Sequence, residues 1–442
     1  MIRKLIGKVL RRPGKQVLHA KHYGVRRELI HSGALKVCDR LQDAGYEAYI
    51  VGGAVRDLML GKSPKDFDVA TSATPEQVRH VFHRSRIIGR RFRIVHVPFY
   101  DRDGEEIIEV TTFRGASDAP TDETGRIIRD NVYGTLEEDS LRRDFTVNAL
   151  YYDPNREEIL DFHHGVADIE AKRLTIIGDP EQRYREDPVR MLRAVRLSAK
   201  LGIGMAPATQ APIAKLAALL ENIPSARLFD EMMKLLFSGR AWDCLMLLKA
   251  EGLHRQLFPV LEALLKKPEA HAFLQKALEN TDKRIAEDKP ISAGFVFAAL
   301  LWHEVEAEWQ KQLAGGEHSI PALVAAMSDV EYRVTKRLAI PNRYSGAMKE
   351  IWLLQPRFEQ RGGQRPFRLL EQQRFRAAYD FLLLRAECGL VDKELADWWT
   401  KFQFADDAGR SALIANVTAK TEGAEKKRRK PRRKPKVTAV TE

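Results

Sequence analysis

The sequence predicts an α+β protein in three parts: an N-terminal α/β domain, an all-α body and a disordered basic C-terminal tail. Strands and helices alternate from Tyr46 to about Asp161, and the strand signal fades after about Leu174. Helical patterns dominate Pro188–Phe404, and Lys426–Lys436 is almost entirely basic. A chain of 442 residues is also too long for one typical hydrophobic core.

The composition indicates a protein of a reducing compartment. No apolar run is long enough to cross a bilayer, and no signal-peptide core is visible. The three cysteines, Cys38, Cys244 and Cys388, are far apart and odd in number, which argues against a disulfide framework or a cysteine zinc site. We therefore expect a cytoplasmic protein.

The net charge of +12 is concentrated at the C-terminus. "KKRRKPRRKPK", residues 426–436, holds nine Lys or Arg and no acid, which leaves +3 for the rest. Such blocks stay disordered and bind polyanions, here nucleic acid or an anionic membrane surface. The N-terminal "MIRKLIGKVLRR" has apolar residues at helical spacing, so it either lies on a membrane surface or forms a short helix or frayed arm on the body.

The α/β domain is predicted to begin with a helix over Ser32–Leu41 that ends at Gly45. "YEAYIVGG" is a strand that runs into a turn, Ala54–Leu60 is a short helix, and "DFDVA" is a second strand. Thr74 and Pro75 are typical of a helix start. "FRIVHVPF" and "EEIIEVTTF" are strands joined by the hairpin signal "DRDG", and "ASDAPTDETG" is a mobile loop.

Acidic residues in two strands are candidates for a metal site. On a strand, Asp66 and Asp68 point to the same face, and adjacent carboxylates repel unless a cation lies between them. Mg²⁺ is the natural cation for such an all-oxygen site. The alternative is a pair of exposed acids on an edge strand. Glu109 lies among apolar residues, where a buried charge needs a metal or an arginine as partner, a structural salt bridge being the alternative.

The glycine pair before these acids predicts a phosphate-binding turn. Gly52 and Gly53 follow an apolar strand and precede a helix, where the backbone can approach phosphate oxygens. Arg56, one turn into that helix, is placed to reach the same phosphates. A plain tight turn is the alternative. A phosphate cradle beside two metal-binding acids favours phosphoryl or nucleotidyl transfer.

Two later segments combine arginines with acids. "EDSLRRDFTVNAL" places Arg143, Asp144 and Asn148 just ahead of an apolar strand. "RYREDPVRMLRAVR" repeats arginine every three residues after Asp187, which predicts a basic stripe at Arg190, Arg193 and Arg196. An Asp–Arg pair presents the donors and acceptors needed to read a base edge. A surface salt-bridge network is the alternative for either segment.

Together, "GGAVRDLMLGKSPKDFDVAT", "RRDFTVNAL" and "REDPVRMLRAVR" resemble, in this order, the class II nucleotidyltransferases of the polymerase-β superfamily. That class contains bacterial poly(A) polymerases and CCA-adding enzymes. The resemblance is strong from Ile50 to about Leu201 and implies a polymerase-β-like nucleotidyltransferase α/β domain. "IIGRRFRIVHV", Ile87–Val97, is similar to the signature of the bacterial poly(A) polymerases.

The resemblance implies a role for each motif residue. The implied catalytic acids are Asp66, Asp68 and Asp144, and the implied metal ligands are Asp66, Asp68 and Glu109. The implied nucleotide-binding residues are Gly52, Gly53, Arg56, Lys65, Arg143, Asp187 and Arg190, of which the last two would read the base. His303 in "WHEVE" has no His and Asp cluster around it, so we interpret it as a core or helix-surface histidine rather than part of a phosphohydrolase domain.

The implied activity is template-independent polyadenylation of RNA 3′ ends, in which AMP is transferred from ATP and pyrophosphate is released by a two-metal Mg²⁺ mechanism. The implied partners are ATP, mRNA and other RNAs, and RNA-decay proteins. The basic termini in addition predict weak association with a membrane surface. The tail would bind RNA without reading sequence. Alternatives are a CCA-adding tRNA nucleotidyltransferase, an RNA-binding protein with a degenerate transferase domain, and a membrane-surface adaptor.

We expect five domains along the chain. These are a basic N-terminal arm (1–27), a catalytic head (28–170), a helical neck that binds nucleotide and RNA (171–260), a helical C-terminal body (261–418) and a disordered basic RNA-binding tail (419–442).

Overall fold

The computed structural model describes residues 14–89, 93–101, 104–115 and 132–428, and it confirms the predicted α+β class. The chain divides into two compact units. The first contains the described residues up to Ile223 together with Asp243–Gln256, and the second contains Pro224–Trp242 and the described residues from Leu257 onward.

The first unit is built on a mixed β-sheet. The strands are β1 (Gln16–His19), β2 (Ala48–Val51), β3 (Asp68–Thr71), β4 (Arg86–Ile88), β5 (Ile94–Asp101), β6 (Gly104–Thr112), β7 (Leu150–Asp153), β8 (Glu158–Asp161), β9 (Arg173–Leu174) and β10 (Gly204–Met205). Eight of them have the order β1-β8-β7-β2-β3-β6-β5-β4, and in this sheet the β3–β6 pair is parallel while the other pairs are antiparallel. The two-residue strands β9 and β10 pair separately and are too short to show alternation in the sequence.

Helices flank the sheet and form most of the remaining described chain. They are α1 (Ser32–Asp43), α2 (Gly53–Met59), α3 (Pro75–Val81), α4 (Leu136–Arg142), α5 (Gly165–Glu170), α6 (Pro180–Glu186), α7 (Val189–Leu201), α8 (Pro207–Gln210), α9 (Ile213–Leu216), α10 (Ser225–Leu236), α11 (Ala241–Ala250), α12 (His254–Leu257), α13 (Val260–Leu265), α14 (Pro268–Ala286), α15 (Ala293–Ala314), α16 (Ser319–Thr335), α17 (Asn342–Phe358), α18 (Arg365–Leu370), α19 (Phe375–Glu387), α20 (Lys393–Phe404) and α21 (Asp407–Arg428).

Side-chain caps fix the starts of two helices near the sheet. Thr74 and Gln77 form a reciprocal capping box at α3, as the predicted helix start requires. Thr135 and Glu138 form the same arrangement at α4. The second box fixes the start of α4, and Arg143 follows the last residue of this helix.

An aromatic cluster supports the central strands of the sheet. Tyr151 on β7 contacts Tyr49 and Phe162 edge to face, with ring centroids 6.3 and 6.1 Å apart. Tyr49 stacks on Phe113 at 6.2 Å. Such pairs stabilise a core beyond their burial alone. They hold β2 and β7 together beneath the turn that follows β2.

The second unit is helical and has its own aromatic core. Trp399 packs against Phe358 at 5.0 Å between ring centroids, and its indole N–H donates to the Phe358 carbonyl at 2.8 Å. His303 lies largely buried on α15, where burial, followed by repulsion from Lys267 and Arg385, lowers its pKa to about 4. These contacts agree with a histidine of the helical core.

The termini differ from the expected arm and tail. Gln16–His19, within the predicted arm, pairs with β8 and so belongs to the sheet, because this short extended run covers an open strand edge. Helix α21 continues to Arg428, within the segment expected to form the tail, and Ala, Lys and Glu there are good helix formers. The predicted loop "ASDAPTDETG" and residues 1–13 and 429–442 lie outside the described residues. None of the described helices combines the length and apolarity needed to cross a bilayer.

Candidate active site

A glycine turn joins the central strand β2 to helix α2. Gly52 has φ +77° and ψ −127°, and its N–H donates to the Leu150 carbonyl on β7 at 3.3 Å. A residue with a Cβ is strained at this backbone conformation, so glycine is required there. Gly53 begins α2 without a positive φ. The turn therefore lies where the sequence predicts it, and its first glycine has the stricter backbone requirement.

Gly52→Ala is expected to lower the free energy of unfolding by about 1–3 kcal/mol, because the new Cβ would be held at a strained φ. Urea denaturation measures this loss. Gly53→Ala is the matched control, since its Cβ would lie 3.5 Å from Arg56 Nη2, an ordinary contact, and alanine favours the helix. Equal stability of the two variants would contradict strain at Gly52.

Asp68 and Glu109 lie side by side on the central strands. Asp68 is the first residue of β3 and is paired in register with Glu109 on the parallel strand β6. On the other side it is opposite Val51, the residue before the glycine turn. Residues in register on adjacent strands point to the same face of a sheet. The turn and both carboxylates therefore meet at one place.

Asp66 precedes the strand, which corrects the predicted strand "DFDVA". Strand β3 begins at Asp68, so alternation along a strand does not place Asp66. Instead, the chain bends at Lys65, and Phe67 is buried between the two exposed acids. Asp66 is still close enough to raise the pKa of Asp68. The two acids are thus neighbours through a loop that is anchored by a buried phenylalanine.

The Asp68 carboxyl group has a strongly perturbed pKa. Although part of this residue is exposed to solvent, the desolvation of its carboxyl group, followed by repulsion from Glu109, raises its pKa to about 6. Asp66 adds to the rise, and Arg143 opposes it. Carboxylates crowded in this way are stabilised by a bound cation.

Glu109 differs from its expected environment. Its side chain is 49% exposed, so it is not a buried charge, and its ionic contact is His96 Nε2 at 3.3 Å from Oε1 rather than an arginine. His96 is opposite Glu109 on β5. The alternation of the nine-residue strand β6 explains the exposure, because the apolar neighbours of Glu109 point to the other face.

Arg143 turns one edge of its guanidinium toward the glycine turn. Its Nη1 lies 3.7 Å from the position that a Cβ would take on Gly52. Nε and Nη2 donate to Asp139 Oδ2 at 3.2 and 3.1 Å, and Nε also donates to the Tyr151 hydroxyl at 2.8 Å. The positive charge of Arg143 also lowers the pKa of Asp68. Arg143 therefore lies close to both the glycine turn and the Asp68 carboxylate.

Asp144 is buried and pairs with helix α7. Its Oδ2 lies 2.7 Å from Arg193 Nη2, and its Oδ1 accepts from the Phe145 N–H at 2.8 Å and from Asn148 Nδ2 at 3.2 Å. Burial alone would raise the pKa of Asp144, but Arg193 and these hydrogen bonds outweigh it and lower the pKa. The carboxylate is therefore an ionised anchor for α7.

Arg56 is buried and bonded to protein groups. Its Nε and Nη2 donate to Asp57 Oδ1 at 2.8 and 2.7 Å, and its Nη1 donates to Asn148 Oδ1. Since Asn148 also donates to Asp144, a polar chain runs from α2 through Arg56, Asn148 and Asp144 to Arg193. Arg56 links the glycine-turn helix to α7.

The two residues predicted to read the base lie where α6 meets α7. Asp187 accepts from the Val189 N–H at 3.3 Å. Arg190 Nη1 donates to the Arg183 carbonyl at 2.8 Å and to Glu186 Oε2 at 3.1 Å. Arg190 and Arg193 of the predicted basic stripe thus have acidic partners, Glu186 and Asp144 respectively.

Three residues outside the predicted set hold the site together: Asp139, Tyr151 and Arg183. Arg183 Nη2 donates to the carbonyls of Arg142 and Arg143 at 3.0 and 2.6 Å, which ties α6 to the end of α4. Burial, with repulsion from Arg190, lowers its pKa to about 10. The sequence spacing could have indicated Asp139, because an acid four residues before an arginine is typical of an ion pair on one helix face. Tyr151 and Arg183 act across the fold and leave no local pattern.

The donor set fits a magnesium ion in its chemistry. In the part of the chain that the structure describes, no three His, Cys, Asp or Glu side chains converge to enclose a metal ion. Mg²⁺ needs no such cage, because it keeps several waters and binds one or two carboxylates together with substrate phosphates. The crowded Asp68, with Asp66 and Glu109 nearby, supplies such carboxylates beside the glycine turn.

Three family models match successive parts of the chain. Residues 48–175 match the poly A polymerase head domain, 202–265 the probable RNA- and SrmB-binding site of polymerase A, and 315–434 the polymerase A arginine-rich C-terminus. The first match contains the glycine turn, the acids and Arg143, and the second and third cover helical segments.

Relatives and a solved structure agree with these matches. Poly(A) polymerase I of Haemophilus influenzae is 42% identical over 96% of both chains, and that of Escherichia coli is 43% identical over 96% of this chain and 93% of its own. A CCA-adding enzyme of Latilactobacillus sakei is 41% identical over 46% of this chain and 49% of its own. A solved tRNA-processing enzyme in an apo form shares the fold at 20% identity, with a TM-score of 0.58 over 85% of this chain and 98% of its own. The chain therefore belongs to the poly(A) polymerase family and is a polynucleotide adenylyltransferase.

Proposed function

We propose that the protein extends RNA 3′ ends with AMP from ATP by a two-metal mechanism centred on Asp68. The single observation that carries the mechanism is the Asp68 carboxyl group, whose pKa is raised to about 6 by desolvation and by the neighbouring acids. A bound divalent cation is favourable for such a group, because it relieves the repulsion between the neighbouring carboxylates. Asp68 is paired with Val51, the residue before the Gly52 turn, so the proposed cation site and the proposed phosphate-binding turn are adjacent.

The reaction joins the RNA 3′-oxygen to the α-phosphorus of ATP, breaks the bond to the β-phosphate oxygen and releases pyrophosphate and the hydroxyl proton. Asp66 and Asp68 would hold Mg²⁺, with Glu109 as a further ligand. When bound, Mg²⁺ makes the 3′-hydroxyl more acidic and neutralises charge on the pyrophosphate. Gly52 and Gly53 let the triphosphate approach the backbone, and Arg143 donates to it.

The remaining motif residues act on the nucleotide from the side of the helices. Lys65 and Arg56 extend the positive lining of the phosphate site. Asp187 and Arg190 select adenine by its hydrogen-bonding edge. Asp144 acts through the partners of its carboxylate, because it fixes both Asn148 and Arg193.

Asp66→Ala tests the metal role directly. The variant is expected to bind RNA normally and to incorporate AMP at least about a thousandfold more slowly, because metal stabilisation of the transition state is worth several kcal/mol. Gel-shift and primer-extension assays measure the two properties. Asp43→Ala, an exposed acid at the end of α1, is the matched control. Undiminished AMP incorporation by the Asp66 variant would rule out its role as a ligand.

A CCA-adding activity is the second candidate, because a CCA-adding enzyme is 41% identical over 46% of this chain. It is tested with CTP, ATP and a tRNA that lacks its 3′ CCA. Strong CMP incorporation at the two C positions would favour it over polyadenylation.

The substrates and setting are proposed from the same family. We infer that mRNA and other RNAs are tailed in the cytoplasm. We also infer that tailing marks these RNAs for decay, in which RNA-decay proteins take part. The basic segment 419–442 adds RNA affinity that does not depend on sequence. The nine Lys and Arg residues between 426 and 436 support the last point, because such side chains bind phosphates without reading the base sequence. Their contribution to RNA affinity should therefore fall steeply as the salt concentration rises. Weak association with a membrane surface through the basic termini is part of the proposal.

A further inference from the structure

We propose that Tyr151 and Asp139 are positioning residues that hold the Arg143 guanidinium at the glycine turn, so that its Nη1 donates to the triphosphate of ATP. The inference rests on the proposed function, because it takes ATP as the ligand. It adds two residues that contact Arg143 rather than the nucleotide.

The three side chains form a closed hydrogen-bonded set. Asp139 Oδ2 accepts from Arg143 Nε and Nη2 at 3.2 and 3.1 Å and from the Tyr151 hydroxyl at 2.6 Å. The same hydroxyl accepts from Arg143 Nε at 2.8 Å. The guanidinium carbon also lies 4.9 Å from the centroid of the Tyr151 ring. Two nitrogens and the ring plane are thus fixed at once, which leaves the guanidinium little freedom to rotate.

Rigid parts of the fold hold the two positioning residues. Asp139 is buried on α4, and its Oδ1 accepts from the Arg114 N–H at 3.1 Å. Tyr151 is fully buried on β7 and is paired in register with Val51, the residue before Gly52. The ring is packed among the aromatic cluster with Tyr49 and Phe162. Asp139 and Tyr151 thus form a clamp around the Arg143 guanidinium, and its Tyr151 side is built on the same strand pair, β2 and β7, that presents the glycine turn.

One nitrogen of Arg143 is left for a ligand. Within the described residues, Nη1 makes no hydrogen bond, whereas Nε and Nη2 both do. Nη1 lies 3.7 Å from the Cβ position of Gly52, and glycine leaves that space open. Because Asp139 balances the charge of Arg143, the contribution to an anion depends on the direction of this N–H more than on net charge. Orientation by the clamp is therefore the property that matters.

Tyr151→Phe tests the clamp, and Tyr152→Phe is its matched control. Both tyrosines are fully buried on β7, but within the described residues the Tyr152 hydroxyl has no hydrogen-bond partner. ATP affinity is measured by equilibrium titration, and thermal unfolding is followed in parallel. Tyr151→Phe is expected to weaken ATP binding roughly tenfold, as for one lost hydrogen bond to a charged group. Tyr152→Phe should leave the ATP affinity unchanged.

A double-mutant cycle separates positioning from general packing. If Tyr151 acts through Arg143, Tyr151→Phe should weaken ATP binding no further once Arg143→Lys is present. Asp139→Asn, which keeps the shape of the clamp, should give a similar loss if Tyr151→Phe folds poorly. Equal ATP affinity of the two tyrosine variants, or additive losses with Arg143→Lys, would overturn the inference. A wild-type protein that binds ATP but does not extend RNA would contradict the proposed function and leave the clamp standing on its binding data.

Discussion

Asp68→Asn is expected to slow AMP incorporation by about a thousandfold or more. The same substitution is expected to stabilise the metal-free protein at pH 8. The loss of activity follows from the loss of a charged metal ligand, which supplies several kcal/mol to such reactions. The gain in stability follows from the raised pKa of Asp68, because the ionised form is less favourable in the fold than in the unfolded chain.

The sign of this effect sets its pH dependence. The pKa of Asp68 is raised from 3.8 to about 6, so its share of stability is greatest below pH 4 and is lost as the pH rises through 6. Thermal unfolding in EDTA should therefore show a higher Tm for Asp68→Asn than for the wild type at pH 8, with the difference disappearing near pH 4. Added Mg²⁺ should raise the Tm of the wild type and leave the variant unchanged. A Tm for Asp68→Asn below that of the wild type at pH 8 would contradict the inference that the ionised Asp68 carboxylate is destabilising in the metal-free protein.

Asp144→Asn is expected to destabilise the protein by about 2 kcal/mol at pH 7, because it removes the charge that pairs with Arg193 in a buried position. The value lies below that of a fully buried pair, since the Arg193 side chain is 39% exposed. The pKa of Asp144 is lowered, so its contribution is present above the ordinary pKa of an aspartate, 3.8, and is lost as the pH falls through its own lower pKa. Wild type and variant should thus converge only at strongly acidic pH, as measured by urea unfolding across a pH series.

A double-mutant cycle that combines Asp144→Asn with Arg193→Met measures the interaction between Asp144 and Arg193. We expect a coupling free energy of about 1–2 kcal/mol between Asp144 and Arg193. Arg190→Met is the matched control, because Arg190 lies one turn earlier on α7 and pairs with Glu186. Its coupling to Asp144 should be smaller. Equal coupling to both arginines would mean that Asp144 responds to the general charge of α7 and not to a specific partner.

The placement of the glycine turn and of Asp68 and Glu109 could be predicted from short sequence patterns, because it depends on residue type. Gly52 follows an apolar strand and needs a backbone conformation that favours glycine. Asp68 and Glu109 are polar residues at positions where strands supply a common face. The strand and helix starts near them follow from local signals such as the Thr74 capping box.

The partners of these residues could not be predicted in the same way. The ion pair of Asp144 with Arg193 and the hydrogen bond of Tyr151 with Arg143 depend on how α7 and β7 pack against the segment after α4. The predicted strand "DFDVA" wrongly includes Asp66, because two alternating acids look alike in sequence whether β3 begins at Asp66 or at Asp68. The direction of each arginine is a property of tertiary packing, and sequence spacing leaves it open.

Extension of a short RNA oligonucleotide by the purified protein, with Mg²⁺ and each nucleoside triphosphate supplied separately, tests the central claim most directly. We predict long, heterogeneous products with ATP, little extension with CTP, GTP or UTP, and none with any nucleotide for Asp68→Asn. Preferential use of CTP, or extension by Asp68→Asn at the wild-type rate, would contradict polyadenylation by a carboxylate-bound metal site.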